Sequence, residues 1–245
     1  MPRCTVLAGT VALFTLALAA MPAHAQSLEI GGRLGPAITT VAGDGDTDSK
    51  LGFSIGGFAG FRLGERVTIY GELSFIRKGF SSEGQYILSA GGGVVRETTL
   101  QQTVHLDYLE LQVPLSLTFP TGGSLRPRLY AGPSLALELR CGAGWAVRNV
   151  FLDWGTGTVI GSEEIEVTGG CLDQQDIFLE GPLFQETNTI DVGILFGGGL
   201  DIRIGSGALT VDVRYNLGLI DIGESPATLK NRAFQVLLGY SYFLR

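Results

Sequence analysis

Residues 209–220 read LTVDVRYNLGLI, and this stretch decides the fold. Its odd-numbered positions carry Leu, Val or Tyr, whereas its even-numbered positions up to 218 carry Thr, Asp, Arg, Asn and Gly. Successive side chains of a β-strand point to opposite faces of the sheet. The stretch therefore predicts a strand with one apolar face and one polar, partly charged face.

The same alternation recurs along most of the chain. It predicts eight strands, connected alternately by short and by long segments. The short connections hold Gly64, Gly122–Gly123 and Gly205, whereas the longest segment runs over more than forty residues between Arg140 and Asn188. Outer-membrane barrels show this asymmetry between periplasmic turns and outside loops. The predicted strands are 28–37, 50–62, 67–78, 104–119, 126–140, 189–204, 209–220 and 233–244.

The chain begins with the features of a secretory signal. Arg3 precedes an apolar run over 6–20, and Ala23-His24-Ala25 forms a small-x-small cleavage site. We predict that residues 1–25 are a signal peptide and that 26–245 form one barrel domain. No later stretch has the roughly 20 apolar residues that a transmembrane helix needs, so a membrane span must consist of strands.

Alternation alone does not say which face of the barrel is the outside. A soluble secreted ligand-binding barrel would carry its apolar side chains inward, and this alternative stays open here. The transmembrane orientation is favoured because the apolar face is nearly free of charge and carries aromatic residues toward the strand ends. These aromatic residues are Phe61, Phe75, Phe119, Tyr215, Phe234 and Tyr242. The sequence thus predicts an all-β fold, an eight-stranded antiparallel up-and-down transmembrane β-barrel.

The polar face carries charges of both signs in mid-strand. Eight strands enclose an interior that side chains can fill, and buried charges are stable only when they are paired. We therefore interpret these residues as an interior charge network in a largely plugged barrel, and a narrow porin-like channel is the alternative. The residues of the network are Arg62, Glu72, Glu110, Arg128, Asp201, Arg203, Asp212 and Arg214.

Two cysteines remain once Cys4 has left with the signal. In an exported protein, Cys141 and Cys171 are expected to form a disulfide bond. A structural zinc site is disfavoured because it needs four ligands and no histidine lies near either thiol. The apolar residues between them predict an ordered loop that could cover the barrel mouth, extend strands beyond the membrane or bind a surface partner.

Several function classes are disfavoured. A net charge of −7 argues against nucleic-acid binding, which depends on neutralising phosphates. His105 and Asp107 share a strand face, but no serine accompanies them as a nucleophile would, so we predict no enzyme and no catalytic site. Asp44-Gly-Asp-Thr-Asp48 resembles the start of a calcium loop without its later Glu, and we predict no metal and no cofactor. Weak divalent-ion binding at that loop stays an alternative.

Five stretches resemble the bacterial outer-membrane β-barrel domain family, often labelled porin-family or PorT-like. The resemblance implies an eight-stranded barrel in the outer membrane, and we predict a Gram-negative-type bacterium and a structural or surface-interaction role. We also predict contact with outer-membrane lipid and lipopolysaccharide, with the barrel-assembly machinery and with a surface partner through the long loops. Such chains commonly end on an aromatic residue, whereas here Phe243 is followed by Leu244-Arg245. The stretches are 106–115, 126–134, 191–201, 209–218 and 231–240.

Overall fold

The computed structural model describes residues 28–42, 47–170, 188–222 and 229–244. Among these residues, no helix is long and apolar enough to cross a bilayer. The predicted signal peptide over 1–25 lies outside the described residues and stays a prediction. The strands are β1 (Leu28–Ala42), β2 (Asp48–Arg62), β3 (Val67–Gly91), β4 (Val94–Gln112), β5 (Leu115–Thr118), β6 (Leu125–Asp153), β7 (Val159–Gly170), β8 (Ile190–Ile204), β9 (Gly207–Gly218) and β10 (Lys230–Leu244).

The strands close into a ring of eight. β1 pairs with both β2 and β10, and the neighbours between them are β3, β4, β6, β8 and β9, all antiparallel. β5 continues β4 beyond Pro114 and pairs with β3 and β6, so β4 and β5 together form one barrel strand. The break occurs where proline supplies no N–H to the ladder. The predicted eight-stranded antiparallel barrel is confirmed, with the predicted strand over 104–119 divided in two.

The stagger of the strands fixes the width of the barrel. Following paired residues once around the ring from Leu28 leads back to β1 at Ile38, a stagger of ten residues. For eight strands, such a stagger goes with a strand tilt of about 40° and an interior that side chains can fill. The stagger also decides which interior side chains meet across the barrel.

The apolar face of the strands is the outside of the barrel. On β9, Val213 is 44% exposed, whereas its neighbours Asp212 and Arg214 are 0% and 1% exposed. The same pattern holds around the ring, where Leu34, Leu111, Leu135 and Leu238 are among the exposed apolar residues. An apolar exterior around a polar interior is the arrangement of a membrane barrel. This finding excludes the soluble alternative with its apolar residues inside.

The two ends of the barrel differ in length. At the turn end, short connections follow β2, β5 and β8. β1 begins and β10 ends at this same end. At the opposite, loop end, residues 82–91 of β3, 94–103 of β4 and 142–153 of β6 continue beyond the ring and join β7 in a four-stranded sheet. We call this the projecting sheet. Ten strand residues rise roughly 30 Å, so the sheet stands well clear of the barrel.

The interior is not polar throughout. Toward the loop end, inward-facing apolar side chains form a buried cluster that includes Ile76, Phe80, Val104 and Leu106. Alternation along a strand predicts which side chains point inward but not whether the inner environment favours polar or apolar ones. The polar interior expected from the sequence therefore occupies the turn end and the middle of the barrel.

Candidate functional site: the interior charge network

Arg128 and Asp212 form the best-defined ion pair of the interior. The Arg128 Nη2 atom lies 2.9 Å from Asp212 Oδ1 and 2.8 Å from Oδ2. Arg128 Nε also lies 3.2 Å from Asp201 Oδ1. Arg128 is on β6 and Asp212 on β9, with β8 between them, so the pair spans a neighbouring strand.

A second set of contacts joins strands on opposite sides of the barrel. Arg214 on β9 donates hydrogen bonds to Glu72 on β3, with Nη1–Oε1 and Nη2–Oε2 distances of 3.1 and 3.2 Å. It also donates to Gln112 Oε1 at 2.7 Å. Arg33 on β1 joins both carboxylates, because its Nη1 lies 3.1 Å from Asp212 Oδ2 and its Nε lies 3.6 Å from Glu72 Oε2.

Aromatic rings line the same arginines. The Arg33 guanidinium lies 4.1 Å from the ring centroid of Phe58. Arg128 lies 5.6 Å from both Tyr70 and Tyr130, and Arg214 lies 5.5 Å from Tyr130. Planar guanidinium groups pack favourably on such rings, which fills interior volume without leaving the charge unpaired.

A further group of charges lies between this region and the apolar cluster. Lys78 Nζ is 3.6 Å from Asp191 Oδ2 and 3.9 Å from Glu110 Oε2. Asn231 donates to Asp191 Oδ2 at 2.8 Å, and Asn216 donates a short hydrogen bond to Glu110 Oε1. All these side chains are buried, so the interior charges occupy two levels of the barrel.

The eight residues proposed from the sequence do not all occupy the same environment. Glu72, Glu110, Arg128, Asp212 and Arg214 are all buried in the interior. Four of them contact one another directly or through Arg33, whereas Glu110 contacts Lys78 and Asn216 instead. Asp201 is partly buried and contacts Arg128. Arg62 and Arg203 lie instead at the mouth of the turn end, where both guanidinium groups approach the ring of Phe243. These two arginines line a cavity of about 20 Å³.

Sequence reasoning did not include Arg33, Lys78 and Asp191 in the network. Each occupies an inward position of its strand, but only the stagger of the barrel reveals its partner. The glycines at 197–199 of β8 are a further sequence signal of where large side chains lie on the neighbouring strand. A Cβ at Gly199 would collide with the carboxylate of Asp212, and one at Gly197 would lie 2.9 Å from Arg214 Cβ. The glycines of β8 thus leave room for the charged side chains of β9.

His105 and Asp107 do not form a catalytic pair. Asp107 receives two hydrogen bonds from Arg77, with distances of 2.6 and 2.8 Å. His105 Nε2 instead lies 2.8 Å from Lys50 Nζ on the outside of the barrel. Because Lys50 can only donate, this ring nitrogen accepts.

The predicted disulfide and the acidic loop fall at the limits of the described residues. Gly142 pairs with Gly170, which brings the end of β7 beside Cys141. Cys171 lies outside the described residues, so the bond stays a prediction. Asp44 and Asp46 also lie outside them, and Asp48 begins β2 as an exposed residue. Within the part of the chain that the structure describes, no group of three or more potential ligands could hold a metal ion.

Comparison with known proteins places the chain in a family. The model of the outer membrane protein beta-barrel domain family matches residues 24–224, and the chain belongs to this family. It is accordingly an outer-membrane β-barrel protein and not an enzyme, as the sequence predicted. No curated protein matches the chain.

Solved structures with a similar arrangement include three outer-membrane proteins. One is Ail, the attachment invasion locus protein of Yersinia pestis, with 13% sequence identity and a TM-score of 0.36. The match covers 87% of this chain and 98% of the Ail chain. Neisserial surface protein A is 15% identical with a TM-score of 0.39, covering 88% and 96%. OprG from Pseudomonas aeruginosa is 7% identical with a TM-score of 0.37, covering 90% and 97%.

Proposed function

We propose that this protein acts at the cell surface through its projecting sheet, and that its barrel is a membrane anchor closed to solutes. The observation that carries the proposal is the difference in exposure between the two regions. The side chains of Arg128, Arg214 and Asp212 are at most 1% exposed in the interior. Trp154, Val159 and Ile160, at the outer end of the projecting sheet, are largely exposed.

The edge of the projecting sheet offers a binding mode. Within the described residues, β7 pairs with β6 alone, so its second edge presents backbone N–H and C=O groups. Exposed strand edges bind extended peptides by adding a strand, and apolar side chains beside the edge supply selectivity. Ile165 is exposed on β7 in the middle of this edge. A partner that adds a strand to β7 is therefore the surface partner that the geometry favours.

Outer-membrane lipid and the barrel-assembly machinery are the partners proposed for the barrel itself. Tyr242 and Leu244 on β10 are exposed toward the lipid side, and β10 pairs with β1 to close the ring. The last strand is thus the one that completes the barrel. We propose that the assembly machinery acts on this strand even though Leu244 and Arg245 follow Phe243.

Conductance distinguishes a closed barrel from the narrow-channel alternative. The mature protein, inserted into a planar lipid bilayer, should give no conductance steps. A variant carrying both Arg128→Ala and Asp212→Ala removes the central pair and should give small steps, which also shows that the barrel inserts. Regular steps from the unchanged protein would replace the closed barrel with a channel.

Surface labelling tests the display of the projecting sheet. A cysteine at Ser162, which is exposed on β7, should react with a membrane-impermeant maleimide on intact cells. The matched control is a cysteine at Ser206, in the turn between β8 and β9, which should react only after the outer membrane is permeabilised. Reaction at Ser206 on intact cells would show that the barrel has the opposite orientation and would refute the proposal.

A further inference from the structure

We propose that a cationic cluster on the outer surface of the barrel binds the phosphate groups of lipid A, the membrane anchor of lipopolysaccharide. The cluster lies at the loop end, where the apolar exterior stops. We call it the outer rim cluster, and it consists of Lys50, Arg77, His105, Asp107 and Arg140. It is separate from the interior charge network and from the projecting sheet's edge, and the proposal rests on the function proposed above only in placing the loop end at the cell surface.

The outer rim cluster follows directly on the lipid-facing surface. Phe75, Leu109 and Leu137 pair side by side across β3, β4 and β6 and form an apolar row on the outside. Two positions further on β3 and β4, and three on β6, Arg77 pairs with Asp107 and Asp107 with Arg140. The outer face thus changes from an apolar row to an Arg–Asp–Arg row between two successive outward-facing rows of the sheet. Lipid headgroups meet a barrel at this boundary.

A bulge gives Arg140 its place in the row. The pairing of β4 with β6 shifts by one residue where Asp107 pairs with Arg140 and Tyr108 with Glu138. The extra residue is Leu139. Under regular alternation Arg140, two residues after Glu138, would lie on the same face as Glu138. The bulge turns Arg140 outward, beside Asp107.

Within the described part of the chain, the charges of the cluster are only partly neutralised. Arg77 binds Asp107 with both its Nε and Nη2 atoms, so the single carboxylate of the cluster is occupied. Among the described residues, no carboxylate oxygen lies within 4.0 Å of Arg140 or of Lys50. The Lys50 ammonium contacts His105 instead. The cluster therefore has a net positive charge on a chain whose net charge is −7. It attracts an anion.

The space above the Arg–Asp–Arg row fits a headgroup. Arg77, His105, Asp107 and Arg140 line an open crevice of about 440 Å³ together with glycines of β6 and β7. Gly142 pairs with both His105 and Gly170, so the next row of the outer face carries little side-chain volume. A phosphorylated sugar can approach the backbone there while its acyl chains extend along Leu109 and Leu137.

Arg77 is placed to contact lipid and phosphate together. Its guanidinium lies 5.7 Å from the ring centroid of Phe53, an exposed residue of the lipid-facing surface, and its side chain is 41% exposed. An arginine that packs on a membrane-facing ring keeps its charged end at the headgroup level. A nucleic acid or an acidic soluble protein would not make use of the adjoining apolar row. Membrane lipid is therefore the ligand that both parts of the surface fit.

Binding of purified lipid A to the folded, detergent-solubilised protein tests the proposal. Arg140→Gln removes a charge that has no carboxylate partner among the described residues, and it leaves the Arg77–Asp107 pair intact. Affinity should therefore fall on the order of 5-fold, and in the Arg77→Gln/Arg140→Gln double variant on the order of 30-fold. The matched control is Arg232→Gln on β10, an exposed arginine two positions beyond lipid-facing Phe234, as Arg77 is two beyond Phe75. Its affinity should stay within about 2-fold of the unchanged protein.

Two further probes identify the chemistry that is recognised. Lipid A without its phosphates and phosphatidylglycerol should both bind the unchanged protein much more weakly than intact lipid A. Heat-modifiable migration on gels confirms that each variant is folded. Equal binding of the phosphate-free lipid, equal binding of phosphatidylglycerol, or an equal loss in Arg232→Gln would each overturn the proposal. None of these results bears on conductance or on the display of the projecting sheet.

Discussion

The same three strands build two regions that differ in how they are stabilised. Inside the barrel, β3, β4 and β6 carry Glu72, Glu110 and Arg128, which are buried among partners from distant strands. In the projecting sheet, the side chains of these strands are half-buried or exposed, except that of Ala143 next to the barrel, and they interact with adjacent strands. The backbone ladder extends through both regions, with a bulge where Asp107 pairs with Arg140. The difference therefore lies in the side chains.

The interior contacts link parts of the chain that are far apart in sequence. Arg33 and Asp212 are separated by 179 residues, and Glu72 and Arg214 by 142. The hydrogen bond between Thr98 and Asn149 in the projecting sheet joins neighbouring strands. Loss of an interior partner should thus destabilise the whole closed barrel, whereas loss of a contact in the projecting sheet should have a local effect.

The largest effect is expected at Asp212. Asp212→Ala removes the carboxylate that both Arg33 and Arg128 contact and leaves two buried cations without it. Breaking such a pair costs about 3–5 kcal/mol in free energy of unfolding. Urea titration of the protein folded into lipid vesicles measures this loss. Glu163→Gln on exposed β7 is the control, and an equal loss there would show that the two regions are stabilised alike.

A smaller effect is expected in the apolar cluster at the loop end. Ile76→Ala leaves a cavity at a fully buried position and should lower the free energy of unfolding by about 3 kcal/mol. Ile87 is on the same strand but is 71% exposed in the projecting sheet. Ile87→Ala should change stability by less than about 0.5 kcal/mol. Similar losses for the two variants would contradict the proposed difference between the regions.

A local effect is expected at Thr98. Its hydroxyl donates to Asn149 Oδ1 at 2.8 Å, and Thr98→Val should destabilise the projecting sheet by about 1 kcal/mol. Amide hydrogen exchange should become faster over 94–103 and 142–153 and remain unchanged in β9. Thr99→Val, on the opposite face of the sheet, is the control. Faster exchange in β9 would show that the projecting sheet and the barrel unfold together.

The smallest effect is a pH dependence at the outer end of β6. Hydrogen bonds from the backbone N–H and then the hydroxyl of Thr156 hold the pKa of exposed Asp153 below its usual value of 3.8. A lowered pKa means that the charged form stabilises the turn. This contribution is complete above the usual pKa and is lost as the pH falls through the lower value in the folded protein. The NMR shift of the Thr156 amide should follow this titration, and Asp153→Asn should abolish it.

Much of the barrel could be predicted from the sequence because alternation is a local property. The eight barrel strands and the inward position of Asp212 follow from it. The sequence did not show that β6 continues to Asp153. The apolar residues of the long loop fit a loop over the barrel mouth or a partner-binding loop as well as extended strands. The outward position of Arg140 was also hidden, because a bulge reverses the alternation. The partners of Arg33 and Lys78 depend on the ten-residue stagger, which no single strand reveals.

Two adjacent leucines on β10 test whether the apolar face of the strands is the outside of the barrel. Leu237 is 1% exposed toward the interior, whereas Leu238 is 57% exposed on the outside. A spin label replacing each in turn, in a variant without Cys141 and Cys171, reports contact with lipid through its collision rate with dissolved oxygen. With the barrel in lipid vesicles, we expect a high oxygen collision rate at 238 and a low one at 237. Equal rates, or a higher rate at 237, would contradict an apolar exterior that surrounds paired interior charges.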